Sequence, residues 1–170
     1  MIKIASETPA LHSDAIEALY DRTFGPGHFA KTAERLREGS QSVASCSQVA
    51  TLDERVVGVC RIWPIVIGVE NVPAVFVGPL AVDQGFRGKT LGQDLTKQAL
   101  QASKQEGWPL AVIVGAPRYF CEIGFEPVEK GHLYLPGPQD TARILYTALD
   151  GKTALPMGMV RVAPPRREVV

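Results

Sequence analysis

The stretch from Gly78 to Gly92, GPLAVDQGFRGKTLG, constrains the fold more than any other part of the chain. Its apolar residues up to Val82 suit a β-strand, and apolar positions recur at helical spacing between Thr90 and Gln105. A glycine-bearing basic loop joins the two. Such a loop directs several backbone N–H groups at one point, where the helix dipole adds partial positive charge. The pattern therefore predicts a strand–loop–helix unit that binds an anion, most readily a phosphate.

The length and composition are those of a soluble globular chain. The 170 residues suit one domain with a full core, predicted over residues 1–163, followed by a flexible tail over 164–170. Hydrophobic residues make up 45% of the chain and charged residues 21%, and the formal net charge is zero. A zero net charge supplies no overall field that favours nucleic acid or an acidic membrane. We therefore expect neither as a partner.

Cysteine usage and the first residues indicate the cytoplasm. The three cysteines are widely spaced and form no CxxC pair, which favours reduced thiols over disulfides or a metal site. No secretory signal is visible, and no apolar run approaches the roughly 20 residues that a bilayer-spanning helix needs. We expect a cytoplasmic protein without a metal ion.

Hydrophobic spacing and turn residues predict a succession of strands and helices. The predicted strands are Met1–Ser6, Ser42–Leu52, Val56–Ile67, Ala74–Val82 and Leu110–Val114. The predicted helices are a first one capped by Ser13 and ending at Phe24, then Phe29–Arg37, Thr90–Gln105 and Arg118–Ile123. Further strands and a short helix over residues 141–149 are expected in the remainder.

The connections predict a mixed α/β sheet that is mostly antiparallel and flanked by helices, not a doubly wound one. The polar turn at residues 53–55 joins two strands into an antiparallel hairpin. A helical crossover leads from Ala74–Val82 to Leu110–Val114, which makes that pair parallel. Gly78-Pro79 interrupts the first of these strands, and since proline removes a ladder donor, a bulge or local separation is expected there.

Two interpretations of the loop do not depend on any family. Gly88-Lys89-Thr90 matches the end of a nucleotide-binding GxxxxGK[ST] loop, but that pattern needs glycine at position 83, where Asp83 stands. A carboxylate there would repel a triphosphate, and the preceding hairpin is unlike a P-loop fold. Alternatively, the glycines only make a tight turn between strand and helix. That interpretation leaves Arg87 unexplained.

A third interpretation depends on a resemblance. Leu80-Ala81-Val82 followed by Arg87-Gly88-Lys89-Thr90-Leu91-Gly92 resembles the acetyl-coenzyme A loop of the GCN5-related N-acetyltransferases, [QR]-x-x-G-x-[GA]. Arg87 matches the first position and Gly92 the last, while Thr90 replaces the usual glycine. Residues 116–127, APRYFCEIGFEP, resemble the family's later block, a short helix that ends in Gly-Phe. The two blocks together are most similar to the YhbS-type branch, and the resemblance covers about residues 42–130.

The resemblance implies the acyl-CoA N-acyltransferase (GNAT-like) fold and acetyl-CoA as cofactor. The N–H groups from Arg87 to Gly92 would bind the pyrophosphate, and the backbone of Leu80, Ala81 and Val82 would pair with the pantetheine arm. The implied reaction moves an acetyl group directly to a primary amine of a small molecule or a protein. A homodimer is common for this fold.

The catalytic residues are harder to assign from the sequence. In the family, a tyrosine four residues before the glycine of Gly-Phe often protonates the thiolate, but that position is Phe120. Tyr119, one residue earlier, is therefore the candidate acid, with a packing role as its alternative. His28 and Trp63 are candidates for contact with the acceptor. Phe120 and Thr90 also suit an alternative function, a non-catalytic acyl-CoA-binding or sensor module on the same fold.

Overall fold

The strands form one mixed sheet with helices on both faces. The computed structural model describes residues 1–25, 35–88, 90–137 and 140–164. The strands are β1 Lys3–Ser6, β2 Gln48–Leu52, β3 Arg55–Ile67, β4 Val72–Val82, β5 Leu110–Val114, β6 Glu126–Pro127, β7 Leu133–Tyr134, β8 Ile144–Ala148 and β9 Gly158–Val162. The helices are α1 Pro9–Phe24, α2 Leu91–Gln105 and α3 Pro117–Phe120. Short 3-10 turns lie at Gln84–Phe86, Cys121–Ile123 and Thr141–Arg143.

The sheet order is β1-β2-β3-β4-β5-β8-β6, with β9 paired to the far end of β3 and to β7. Along this order every pair is antiparallel except β4–β5, which α2 connects as a parallel crossover. The predicted mixed, mostly antiparallel sheet is confirmed. The predicted hairpin is confirmed too, because Asp53 and Glu54 both adopt positive φ angles of 49° and 65°, the backbone of a two-residue hairpin turn.

Two boundaries at the beginning of the chain differ from the prediction. Helix α1 begins at Pro9 with Thr8 as its N-cap, and not at Ser13. Proline is favoured at the first helical position because its fixed φ suits the helix and its missing N–H needs no partner there. The strand predicted from Ser42 begins only at Gln48. Before it, the Ser47 hydroxyl donates to the Val43 carbonyl and accepts the Ile62 N–H, which holds a turn.

The helix predicted over residues 141–149 is wrong. Only Thr141–Arg143 forms a 3-10 turn, and Ile144–Ala148 is strand β8. Its five residues pair antiparallel with all of β5. The apolar pattern of this segment fits a helix or a strand equally, so the open edge of β5 decides between them. Most of the helix predicted over Phe29–Arg37, and all but the first residue of the predicted tail, lie outside the described residues.

Alternate residues of β3 pack against helices on opposite faces of the sheet. Val59 packs with Leu19 of α1, whereas Cys60 packs with Leu95 of α2. Arg61, on the α1 side, is only 9% exposed. Its guanidinium binds Glu7 through Nη2–Oε1 at 2.9 Å and Nε–Oε2 at 3.3 Å, and Glu17 through Nη1–Oε1 at 3.3 Å. This cluster ties the end of β1 and helix α1 to the middle of the sheet.

The three thiols differ in accessibility. Cys46 and Cys60 are buried and Cys121 is exposed, and all three are free thiols. Burial raises the pKa of the Cys46 thiol to about 11 and that of Cys60 to about 12. Within the described residues, no helix has the length and apolar character needed to cross a membrane. The single domain, the cytoplasmic location and a homodimer stay predictions.

Candidate active site

Strands β4 and β5 run together and then separate. Their parallel pairing extends from Val75↔Ala111 to Val77↔Ile113, and within the described residues it stops there. Beyond Gly78-Pro79, a cis peptide, β4 continues through Val82 but pairs only with β3. The local separation predicted from Gly78-Pro79 is therefore present. It leaves the outer backbone edge of residues 80–82 without a strand partner among the described residues.

A cleft of about 430 Å³ lies where the two strands separate. Its walls come from the ends of β4 and β5 and from α1, α3 and two turns. The lining residues are Phe24, Arg37, Phe76, Val77, Gly78, Pro79, Leu80, Ile113, Val114, Gly115, Ala116, Tyr119, Phe120 and Arg143. Phe24 belongs to α1 and Tyr119 to α3, which contact opposite core clusters. The cleft therefore passes through the sheet from the α2 side to the α1 side.

A second cleft of about 400 Å³ lies over the loop between β4 and α2. Its lining residues are Val82, Phe86, Arg87, Gly88, Thr90, Gly92, Gln93 and Tyr119. We call this the loop cleft and the first one the strand cleft. Tyr119 lines both. The two clefts thus adjoin, and the tyrosine ring stands at their junction.

The start of α2 leaves its backbone donors available to a ligand. Thr90 is the N-cap residue, but its side chain makes no capping hydrogen bond. Its hydroxyl instead donates to Oδ2 of Asp94 at 3.4 Å, along the helix. The first N–H groups of a helix have no partner within the helix, so they and the dipole favour an anion. Gly88 adopts a positive φ of 80°, which suits glycine in this tight turn.

Asp83 does not face the loop cleft. Its Oδ1 accepts the Gln84 N–H at 3.0 Å, which caps the 3-10 turn. Its Oδ2 lies 2.9 Å from Nη2 of Arg55 and 3.3 Å from Nη2 of Arg22. The carboxylate is therefore paired with two guanidinium groups from the hairpin and α1. It anchors the beginning of the loop, and its absence from the cleft lining removes the repulsion expected from the sequence.

Gly92 makes room for Tyr119. A Cβ at position 92 would lie 2.4 Å from the Tyr119 hydroxyl oxygen. Within the described residues this hydroxyl has no hydrogen-bond partner, so it is available to a ligand at the junction. Burial, followed by the charges of Cys60, Asp94 and Glu122, raises the Tyr119 pKa above its ordinary value. The phenol therefore keeps its proton throughout the neutral pH range.

The Phe120 ring packs against Gly115 and lines the strand cleft but not the loop cleft. The ring is buried, and a Cβ on Gly115 would lie 2.4 Å from its Cε2 atom. The ring meets Tyr119 edge to face at a centroid distance of 4.8 Å and Phe125 at 6.0 Å. Gln93 Nε2 donates to the Glu122 carboxylate at 2.9 Å, which joins α2 to the turn after α3. These contacts fix the orientation of both rings.

The structure brings most of the predicted site residues together around the two clefts. Those that line a cleft are Leu80, Val82, Arg87, Gly88, Thr90, Gly92 and Tyr119. Ala81 and Leu91 are buried, so only their backbone is available. Trp63 lines neither cleft, but its Nε1 donates to the Gly78 carbonyl at 2.7 Å and so supports the separated strand. Lys89 and His28 lie outside the described residues.

Sequence reasoning missed two charged residues in the strand cleft. Arg37 lies in the turn after Leu36, and Arg143 ends the 3-10 turn before β8. Neither belongs to a motif. The only signal was that each basic residue is adjacent to a residue that the core fixes. Arg37 directly follows Leu36 and Arg143 directly precedes Ile144, and both of these neighbours are fully or almost fully buried.

The opened parallel strand pair, with an anion-accepting loop beside it, defines the class of acyl-CoA N-acyltransferases that the two sequence blocks resemble. Residues 13–118 match the model of the acetyltransferase (GNAT) family. The chain is also 30% identical over 151 residues to a curated Escherichia coli K12 protein, "Uncharacterized N-acetyltransferase YhbS". The match covers 85% of this chain and 89% of that protein. The chain belongs to the GNAT family, as predicted.

Solved structures agree with this assignment. The crystal structure of YhbS from Escherichia coli in complex with CoA matches with a TM-score of 0.79 and 28% sequence identity, covering 95% of this chain and 89% of that one. A GNAT family acetyltransferase from Brucella melitensis, in complex with acetyl-CoA, matches with a TM-score of 0.71 over 96% of both chains. At 20% identity, the second match supports the fold alone.

Proposed function

We propose that this protein transfers an acetyl group from acetyl-CoA directly to a primary amine of a small molecule or a protein. The observation that carries the proposal is the junction of the two clefts at Tyr119. One cleft suits the phosphates of the cofactor and the other suits its acyl end. A thioester that extends from the first into the second would have its sulfur close to the tyrosine hydroxyl.

The residues present fit coenzyme A. Its pyrophosphate needs an array of N–H donors, and the uncapped start of α2, with Gly88, Thr90 and Gly92 beside it, supplies one. Arg87 lines the same cleft and adds a positive charge. The amides of the pantetheine arm need strand-like partners, and the edge of residues 80–82 that lacks a second strand offers them. The bound cofactor would supply an acyl group activated as a thioester.

Tyr119 is proposed as the general acid that protonates the departing thiolate. Its raised pKa keeps the hydroxyl protonated. Because Tyr119 lines both clefts, its hydroxyl is close to the place where the sulfur of a bound thioester would lie. Among the described residues that line the strand cleft, there is no carboxylate or histidine that could act as a base. The attacking amine is therefore proposed to lose its proton to water at the cleft mouth.

A second candidate function is a non-catalytic acyl-CoA sensor. The observation that favours it is Phe120, which stands at the family's usual acid position and is held against Gly115. The two functions share the cofactor site and differ only in turnover. Binding of acetyl-CoA without acetyl transfer to any amine would support the sensor.

The test measures binding and turnover separately. Millimolar acetyl-CoA is expected to raise the melting temperature of the wild-type protein, and Arg87→Glu is expected to remove most of that rise. Lys97→Glu is the matched control, because Lys97 is exposed on α2 and lines neither cleft. Turnover is followed as loss of thioester absorbance with a panel of amines. The absence of any melting shift with acetyl-CoA would refute the proposal.

A further inference from the structure

Two arginines line the otherwise mostly apolar strand cleft. Among its described lining residues, Arg37 and Arg143 are charged, and no aspartate or glutamate is present. The remaining walls are aliphatic, aromatic, glycine and proline residues, apart from the Tyr119 hydroxyl. An apolar cleft with two guanidinium groups attracts a ligand that has an apolar body and an anionic group.

The two arginines come from separate parts of the fold. Arg37 lies just after Leu36, which is fully buried in the core on the α1 side. Arg143 is anchored at the end of β5, because its carbonyl accepts the Gly115 N–H at 2.9 Å. The backbone that carries each guanidinium is therefore fixed. Two cations that converge from different segments are more selective for an anion than neighbours on one flexible loop.

Three arginines elsewhere in the described structure have carboxylate partners. Arg61 binds Glu7, and both Arg22 and Arg55 bind Asp83. Arg143 forms no ion pair within the described residues, although Asp140 lies in the same turn. The Asp140 carboxylate instead accepts the Ala142 N–H at 3.1 Å. The guanidinium of Arg143 thus remains available to an anion that enters the cleft.

We propose that the acceptor is a carboxylate-bearing amine with an apolar body, such as an apolar amino acid, and that Arg37 and Arg143 bind its carboxylate. The inference rests on the proposed function and names the substrate class of the same site. The acyl donor does not account for these cations, since an acetyl group has no charge. Neither arginine lines the loop cleft, where the phosphates would lie.

The first experiment measures binding and does not need turnover. Isothermal titration of the CoA-saturated protein uses N-acetyl-glycine, N-acetyl-methionine and N-acetyl-phenylalanine, each paired with its carboxamide. We expect at least one acid to bind about 10- to 100-fold more tightly than its amide, the range for hydrogen bonds to a charged group. Arg143→Gln and Arg37→Gln should each reduce that preference, whereas Lys97→Gln should not.

The second experiment compares kinetic constants for the parent amino acids and their amides. Arg143→Gln should raise the KM for the acids at least about 10-fold, as loss of one charged hydrogen bond implies, and leave the KM for acetyl-CoA unchanged. Arg143→Lys should restore part of the loss. Equal binding of acids and amides, or binding of neither, would overturn the inference, as would a raised KM for acetyl-CoA.

The outcomes separate this inference from the proposed function. A protein that shows no melting shift with acetyl-CoA fails the proposed function. A protein that binds acetyl-CoA and prefers the acids, but transfers no acetyl group, supports the carboxylate site and fails the transferase proposal. A protein that acetylates amines and amides without preference for a carboxylate supports the transferase and fails the inference.

Discussion

Gly92→Ala tests directly whether Tyr119 acts in catalysis. The new Cβ would lie 2.4 Å from the tyrosine hydroxyl oxygen. An ordinary contact of a Cβ atom begins at 3.4 Å, so the hydroxyl has to move by about 1 Å. A misplacement of about 1 Å can cost about 100-fold in rate, equivalent to about 2.7 kcal/mol of barrier. We expect kcat to fall by about that factor.

The same substitution should leave folding and cofactor binding nearly unchanged. The next contacts of the new Cβ are Leu80 Cδ2 and Tyr119 Cζ, both at an ordinary 3.6 Å. The atom that has to move is the far end of a half-buried side chain, and alanine is the better helix former. The resembled loop pattern also accepts alanine at this position. The melting temperature and its rise with acetyl-CoA should therefore match those of the wild-type protein.

A double-mutant cycle with Tyr119→Phe isolates the cause. The phenylalanine variant has no hydroxyl for the new Cβ to displace, so Gly92→Ala should cost little further activity in that background. The assay is steady-state acetyl transfer, with kcat and KM measured for all four proteins. Equal losses in both backgrounds would refute the reasoning, because the glycine would then act independently of the tyrosine. Full activity of Gly92→Ala in the wild-type background would refute it as well.

The remaining predictions concern packing, charge and thiol access. Gly115→Ala should destabilise the fold by about 1–3 kcal/mol in denaturant unfolding, because its Cβ meets the buried Phe120 ring, and not a side-chain end that can move. Arg61→Ala should cost about 3–5 kcal/mol, since it leaves a buried carboxylate unpaired. Arg55→Ala, at an exposed ion pair, should cost no more than about 1 kcal/mol. With a thiol reagent at pH 8, the folded protein should react once per chain, at Cys121, and the unfolded protein three times.

The sequence was sufficient where local chemistry determines the structure. The turn at Asp53-Glu54, the interruption at Gly78-Pro79 and the helical crossover each depend on a few neighbouring residues, and each was predicted. The segment 141–149 could not be predicted in this way. Its apolar spacing fits two structures, and its conformation depends on the edge of β5, about 30 positions earlier in the chain. Pairing between distant segments leaves no local pattern.

The candidate site likewise contains residues that a local motif predicts and residues that no local pattern predicts. The loop residues follow a motif, and most of them line the loop cleft. Asp83 was interpreted as a group at the loop mouth, because its partners Arg22 and Arg55 come from other elements and nothing in the sequence connects them. Arg37 and Arg143 were missed for the same reason. A charge that becomes functional only when the fold brings it to a cleft has no signature in the chain.

The positions of the two clefts also distinguish Tyr119 from Phe120 as a possible proton donor. Both rings border the strand cleft, but only Tyr119 also borders the loop cleft. A donor with its phosphates at the loop and its acyl group between the strands would have its sulfur at the junction of the two. A hydroxyl that borders both clefts can reach that sulfur, and Gly92 is the residue that admits it. The tyrosine one position before the family's usual acid is therefore compatible with catalysis, because the loop glycine and the aromatic pair together determine where the proton donor lies.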